Sequence, residues 1–125
     1  MNSKRVFIAF AAEDANLRDF LVGQARNEQS PFEFVDMSVK QPWDYAWHDH
    51  CRSKIKGCDG LIAIITNNSV YADGQLWEIG CAKEERIPVA AVYGHPNERP
   101  YIKELGIIQP LSWSWENIKR IIDNF

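Results

Sequence analysis

Apolar residues occur along this chain in short unbroken runs, separated by longer segments with helical periodicity. Four runs are rich in β-branched or aromatic residues and a weaker fifth follows them: residues 5–10, 32–35, 60–66, 87–93 and 106–111. Runs that are apolar at nearly every position are typical of strands buried on both faces of a parallel sheet. The pattern therefore predicts five buried strands.

The segments between these strands predict four helices, at residues 14–28, 44–56, 75–86 and 114–124. Strict alternation of strands and helices implies right-handed crossovers and a parallel sheet with helices on both faces. We therefore expect a flavodoxin-like, three-layer α/β sandwich with a five-stranded parallel sheet in the order 2-1-3-4-5. Residues 5–10 and 60–66 are its expected central strands, and residues 1–125 form a single domain.

Composition narrows the class of protein without identifying it. The 125 residues are 46% hydrophobic and 25% charged, which is ordinary for a globular domain that can build a core without disulfides or metal. The net charge of −3 argues against a nucleic-acid-binding surface. The three cysteines form no CxxC pair, and no apolar stretch approaches the ~18 residues of a membrane span. We expect a cytoplasmic, reduced protein that binds neither nucleic acid nor membrane.

In doubly wound sheets, ligands bind outside the carboxyl ends of the strands, between the first and third strands. Three loops are expected around that point: residues 11–14, 36–43 and 67–71. Several familiar sites are excluded there, because the first turn has no glycine, and neither GxxxxGK[ST] nor GxSxG occurs. A phosphoacceptor aspartate is missing after the third strand, and His48 with Cys51 would supply only two metal ligands. We predict no metal site.

One carboxylate near the start of the third helix, Glu78, has two interpretations. A glutamate in the first helical turn is held ionised by the helix dipole, as a catalytic carboxylate would need to be. On a helical wheel, however, Glu78 lies opposite Leu76 and close to Glu85, as a solvated surface acid would. The residues alone leave both interpretations open.

An ordered set of short motifs resembles the TIR (Toll/interleukin receptor) domain family, specifically its compact bacterial branch, similar to the NAD-consuming proteins of anti-phage defence systems. The set lies within residues 4–93 and comprises 6–10 with Glu13 and Asp14, then Ser53, Ile55 and Asp59, then Ser69, Tyr71, Trp77, Glu78 and Ala82. The resemblance implies an NAD+ glycohydrolase or ADP-ribosyl cyclase that makes a cyclic ADP-ribose-type signal in bacterial immunity. It implies Glu78 as the catalytic residue, and no cofactor besides NAD+ as substrate.

The resemblance also implies a substrate site beneath the loop at residues 36–43, which in the family closes over the nucleotide. This loop lacks the family's usual glycine and reads SVKQPW within it. The expected substrate-binding residues are Phe10, Ala11, Ala12, Asp36, Met37, Trp43 and Trp77. Structural roles remain open for several of them, because Phe10 and the tryptophans could pack in the core and Asp36 could start a turn.

Two other functions remain open. The chain could be a non-catalytic TIR-like interaction module, or an enzyme similar to the nucleoside deoxyribosyltransferases, which share the architecture and also use a glutamate. The expected partners are NAD+, further copies of the same chain, and a downstream effector that binds the nucleotide product.

Overall fold

The computed structural model describes residues 3–125, which form a four-stranded parallel sheet in the order β2-β1-β3-β4. The strands are β1 (Arg5–Ala9), β2 (Glu33–Val35), β3 (Gly60–Ile65) and β4 (Val89–Tyr93). The helices are α1 (Ala15–Asn27), α2 (Tyr45–Lys56), α3 (Asp73–Glu84) and α4 (Trp115–Asp123). The parallel α/β architecture is confirmed, with β1 and β3 at its centre.

The predicted fifth strand at residues 106–111 is wrong. Within that segment Leu111 makes only an isolated parallel bridge with Val92. Pro110 has no N–H to donate to a ladder and Ile107 is 95% exposed, so the apolar run is not buried as a strand and pairs only at Leu111. The observed order is therefore 2-1-3-4, not 2-1-3-4-5.

Side chains of the central strands alternate between two helical layers. Phe7 of β1 and Leu61 of β3 belong to a core formed with α2 and α3. Ile8 and Ile62, their neighbours along the strands, belong to a core formed with α1 and α4. Every residue of β3 is buried, which explains its uninterrupted apolar sequence. None of the helices within residues 3–125 is both long and apolar enough to cross a membrane.

The start of α3 differs from the prediction in a way that affects Glu78. The helix begins at Asp73, two residues before the predicted start, and Ala72 at its N-cap makes no capping side-chain bond. Glu78 is therefore the sixth helical residue and lies in the second turn. Because the dipole effect falls off within the first turn, it does little to hold this carboxylate ionised. The first-turn placement of Glu78 is wrong.

Candidate active site

Glu78 is a fully buried carboxyl group beneath the loop that joins β2 to α2, residues 36–44. Its exposed fraction is 0%, which excludes the interpretation as a solvated surface acid. Glu85 does not share its environment, because Glu85 lies at the end of α3 and pairs with Arg52. A buried carboxyl on a helix that faces a loop needs a specific partner, since an unpaired buried charge is costly.

Lys40, from the β2–α2 loop, is that partner. Its Nζ donates to both carboxyl oxygens of Glu78, at 3.0 Å from Oε1 and 2.8 Å from Oε2. The same Nζ lies 4.1 Å from the centre of the Phe10 ring. Gly74 permits this approach, because a Cβ at that position would lie 2.9 Å from Cβ of Lys40. Lys40 therefore occupies the space directly in front of Glu78.

The burial of Glu78 changes its acidity. Desolvation raises the pKa of Glu78 to about 8, although the positive charge of Lys40 acts in the opposite direction. At neutral pH the buried carboxyl therefore carries less than a full negative charge, and contact with water would return its pKa toward the ordinary range. The Sγ of Cys51 lies 3.9 Å from Oε2 of Glu78, and burial raises the pKa of this thiol as well. Cys51 is thus a neutral neighbour and not an activated nucleophile.

A small cavity opens beside Lys40, at the carboxyl end of β1 and the start of α3, and has a volume of about 230 Å³. Its walls are Ala12, Glu13, Lys40, Pro42, Trp43, Tyr71, Ala72, Asp73, Gly74 and Gln75. Sites for drug-sized ligands usually measure roughly 300–1,000 Å³, so this cavity is too small for a dinucleotide. Glu78 is not part of its walls, because Lys40 separates the two. In the structure, Lys40 lines this cavity and also pairs with Glu78.

The residues predicted at the end of the first strand lie at or below this cavity. Ala12 lines it, and Ala11 is buried behind it. Phe10 lies under the ammonium group of Lys40 and is also a member of the core shared with α1 and α4. Phe10 is therefore a core residue, as the sequence allowed, and its role in binding a substrate stays a prediction.

Asp36 and Met37 organise the beginning of the β2–α2 loop. Both carboxylate oxygens of Asp36 lie 3.0 Å from Nη1 of Arg18, and the hydroxyl of Ser38 donates to Oδ1 at 3.0 Å. Met37 packs against the core formed with α2 and α3. In the structure the carboxylate of Asp36 is occupied by donors of the protein itself.

The two predicted tryptophans lie in different environments. Trp43 is 77% exposed and lines the cavity. Trp77 instead faces α2, where its ring is stacked on His48 with centroids 4.5 Å apart and meets Trp47 edge-on at 5.3 Å. The guanidinium of Arg52 lies 5.5 Å from the centre of the same ring. Trp77 therefore joins α2 to α3 and is not among the residues that line the cavity.

Sequence reasoning missed two residues at the site, Lys40 and Gln75. Lys40 lies in a loop without periodicity, so no pattern indicates that its side chain turns inward. Gln75 is fully buried in the first turn of α3 and donates its Nε2 to the carbonyl oxygens of Ala9 and Ile64. Its position three residues before Glu78 places the two side chains on neighbouring turns of one helix face, which is the only sequence signal for it.

The doubly wound parallel sheet, with a pocket at the carboxyl ends of its central strands, defines the class of fold. Among solved structures, the chain is similar to the TIR domain of the Toll-related receptor TRR-2 from the lower metazoan Hydra magnipapillata. The TM-score is 0.65 at 14% sequence identity, over 95% of this chain and 91% of that one. The chain thus has the fold of a TIR domain. Neither the protein-family models nor the curated proteins compared with the sequence give a match.

Proposed function

We propose that this protein cleaves the nicotinamide–ribose bond of NAD+, as a glycohydrolase or ADP-ribosyl cyclase, with Glu78 as the catalytic residue. One observation supports this above all: the carboxyl of Glu78 is fully buried, and its ion-pair partner, Lys40, comes from a loop that lines the cavity and not from a packed element. Buried groups with a raised pKa beside a pocket are enriched at functional sites. A partner on a loop can withdraw and leave the carboxyl free for a substrate.

The chemistry requires little more than this carboxylate. As the bond breaks, the ribose becomes oxocarbenium-like and nicotinamide leaves as a neutral molecule, so no general acid is needed. A carboxylate that holds the ribose hydroxyls stabilises the positive charge by the same electrostatic logic that glycosidases use. Water attacking the ribose carbon gives ADP-ribose, whereas a ring nitrogen of the adenine gives a cyclic product. No metal and no cofactor besides the NAD+ substrate enters this scheme.

Lys40 must withdraw before Glu78 can act. While Lys40 is in place, it fills the position of the ribose and burial keeps the carboxyl partly protonated. Withdrawal lets water and substrate reach Glu78, which lowers its pKa and ionises it. The same movement would join the cavity to the space in front of Glu78, giving a volume closer to that of a nucleotide site.

Several predicted residues, together with Tyr71, have distinct roles in this proposal. The exposed rings of Trp43 and Tyr71 stand on the cavity walls and are available to stack on a base. Ala12 lines the cavity, and its buried neighbour Ala11 supports it. Asp36, Met37 and Trp77 act indirectly, by holding the loop and α3 in place.

The biological setting in this proposal follows the resemblance of the motifs to bacterial TIR-like proteins. We place the protein in the bacterial cytoplasm, where it makes a cyclic ADP-ribose-type signal during antiviral defence. Association between copies of the chain would trigger the opening of the site, and a downstream effector would bind the nucleotide product.

A non-catalytic interaction module is the second candidate, because Lys40 occupies the space in front of Glu78 and aromatic side chains are displayed beside it. Trp43 and Tyr71 are joined there by Tyr45, which is 84% exposed. The similar solved structure is also the TIR domain of a receptor. In this alternative, the Lys40–Glu78 pair would be purely structural and would never open.

The decisive experiment is to incubate the protein with NAD+, and separately with a deoxynucleoside and a free base, and to follow the products by mass spectrometry. Release of nicotinamide from NAD+ supports the proposal. Exchange of the base on the deoxynucleoside would indicate a deoxyribosyltransferase. No reaction under crowded or assembled conditions favours the interaction module. Glu78→Gln should reduce NAD+ cleavage about 10²–10³-fold, the usual effect of one lost electrostatic contact. Glu116→Gln, which makes the same change at an exposed helix start, should leave cleavage unchanged.

A further inference from the structure

Gln75 presents a buried hydrogen-bond acceptor without a partner at the wall of the cavity. The residue is fully buried, and within residues 3–125 its Oε1 accepts no hydrogen bond. Buried polar groups are nearly always paired in native proteins, and the exceptions frequently have a functional cause. This acceptor lies where the chain forms its candidate site.

The orientation of the Gln75 amide is fixed by its other end. Nε2 donates to the carbonyl oxygen of Ala9 at 3.0 Å and to that of Ile64 at 2.8 Å. Exchanging the two ends would set Oε1 against two carbonyl oxygens, which cannot donate. The nitrogen is therefore held at the ends of β1 and β3, and the carbonyl group of the side chain must point elsewhere.

Gln75 and Glu78 lie on the same face of α3 and beneath the same loop residue. Side chains three residues apart on a helix have Cβ atoms roughly 5–6 Å apart. If Glu78 holds the ribose of NAD+, the attached pyridine ring and its carboxamide are long enough to reach Gln75. Lys40 covers this face, contacting Glu78 directly and lying against Gly74 beside Gln75. Withdrawal of Lys40 would uncover both groups together.

We propose that Gln75 binds the leaving base, with its Oε1 accepting a hydrogen bond from the carboxamide NH2 of nicotinamide while Glu78 holds the ribose. This inference rests on the proposed cleavage of NAD+ and specifies how the same site selects its base. The amino group of adenine is a poorer candidate, because nicotinamide is bonded directly to the reacting carbon of the ribose that Glu78 holds. The unpaired Oε1 of Gln75 thus favours bases whose ring substituent carries an N–H donor.

A comparison of NAD+ with its 3-acetylpyridine analogue tests this assignment, because the analogue replaces the carboxamide NH2 by a methyl group. The parent protein should prefer NAD+ in kcat/KM, and Gln75→Met should reduce that preference about 10- to 100-fold, the range expected for one hydrogen bond to a buried group. The two substrates differ in leaving-group chemistry, but this difference cancels when the kcat/KM ratio of Gln75→Met is compared with that of the parent. Gln109→Met, at an exposed position, should retain the preference of the parent.

Binding of the free bases to the parent protein provides a second measurement that needs neither turnover nor a folded Gln75 variant. In NMR titrations the parent should bind nicotinamide more tightly than 3-acetylpyridine, and equal binding would overturn the assignment. If NAD+ is cleaved but folded Gln75→Met keeps the preference of the parent, the role of Gln75 is wrong and the proposed function stands. If NAD+ is not cleaved but nicotinamide binds selectively, the proposed function is wrong and the base site stands. Absence of both cleavage and selective binding overturns both.

Discussion

The Nζ of Lys40 lies 2.8 Å from Oε2 of Glu78, and both side chains are almost completely shielded from water. One residue comes from a loop and the other from a helix, 38 positions apart in sequence. Removing an ammonium and a carboxyl group from water is expensive, and their mutual attraction does not always offset the cost. Such a pair between a loop and a rigid element is suited to opening, because the residues regain hydration when they separate.

Removing the side chain of Lys40 should open the site. We expect Lys40→Ala to raise NAD+ cleavage by the unassembled domain roughly 3- to 10-fold, because a larger fraction of molecules is competent to bind substrate. Steady-state measurements of nicotinamide release at low NAD+ concentration test this. Lys103→Ala, at an exposed position, is the control and should resemble the parent. A loss of cleavage in Lys40→Ala would show instead that Lys40 binds the substrate.

Gly74→Ala should displace Lys40 without removing its charge. The added Cβ would lie 2.9 Å from Cβ of Lys40, closer than packed carbon atoms come, so the loop must shift. We expect faster proteolysis within residues 36–44 and greater NAD+ cleavage than in the parent. Gly80→Ala is the matched control on the same helix, because nothing lies within 4 Å of a Cβ there. That change should only stabilise the protein, by about 0.5–1 kcal/mol. Identical behaviour of the two variants would contradict the steric argument.

The stability of the protein should fall as the pH rises, because of Glu78. Its pKa is about 8 in the folded protein, against an ordinary value of 4.5. Between these values the folded state holds more protons than the unfolded state, so the free energy of unfolding decreases with rising pH. The contribution is complete below pH 4.5 and is lost as the pH rises through 8.

Urea denaturation at closely spaced pH values across this interval measures the effect. Glu78→Gln should flatten the dependence, since each unit of pKa shift corresponds to about 1.4 kcal/mol. Glu116→Gln should keep the slope of the parent. If the Glu78→Gln profile has the same slope as the parent, burial does not raise the pKa of this carboxyl.

Mutation of Trp43 should weaken substrate binding, whereas mutation of Trp77 should lower the stability of the fold. Trp43→Ala removes an exposed ring, so we expect a change in stability of about 0.5 kcal/mol or less and a raised KM for NAD+. Trp77→Ala removes a ring packed against His48 and Trp47 and should cost about 3 kcal/mol. Thermal unfolding and initial-rate kinetics separate these effects. Tyr45→Ala, equally exposed but outside the cavity walls, should leave KM unchanged, and a similar KM effect would argue against stacking on Trp43.

The sheet could be predicted from sequence wherever burial alone decides the pattern. The central strands are predicted to within one residue, because helices cover both of their faces and every position after the exposed Arg5 is buried and apolar or glycine. The segment at 106–111 is equally apolar but fails as a strand. Its proline interrupts the pairing and Ile107 faces solvent, and neither effect is visible in hydrophobicity. An apolar run forms a strand only where another strand pairs with it and helices cover it.

The catalytic candidate could be located from sequence, but its environment could not. A helical wheel places Glu78 opposite Leu76, which favours a solvated face for Glu78. In the structure α3 is covered on more than one side, by the sheet, by α2 and by the β2–α2 loop, so Leu76 is only half-buried and Glu78 is fully buried. Lys40 escaped prediction because its direction depends on Phe10 and Gly74, which are distant in sequence.

The single bridge at Leu111 also determines how molecules of this protein can meet. The N–H of Leu111 donates to the carbonyl oxygen of Ala91, and the N–H of Tyr93 donates to the carbonyl oxygen of Leu111. Leu111 therefore already pairs with the C-terminal part of the outer edge of β4. Pro110 precedes the bridge, and Pro88 precedes the strand, so neither residue offers an N–H to an incoming chain. An extended segment of another molecule would find only a short stretch of free backbone there, which is too little to propagate a ladder. The bridge at Leu111 therefore protects the β4 edge against the strand-to-strand addition that produces fibrils.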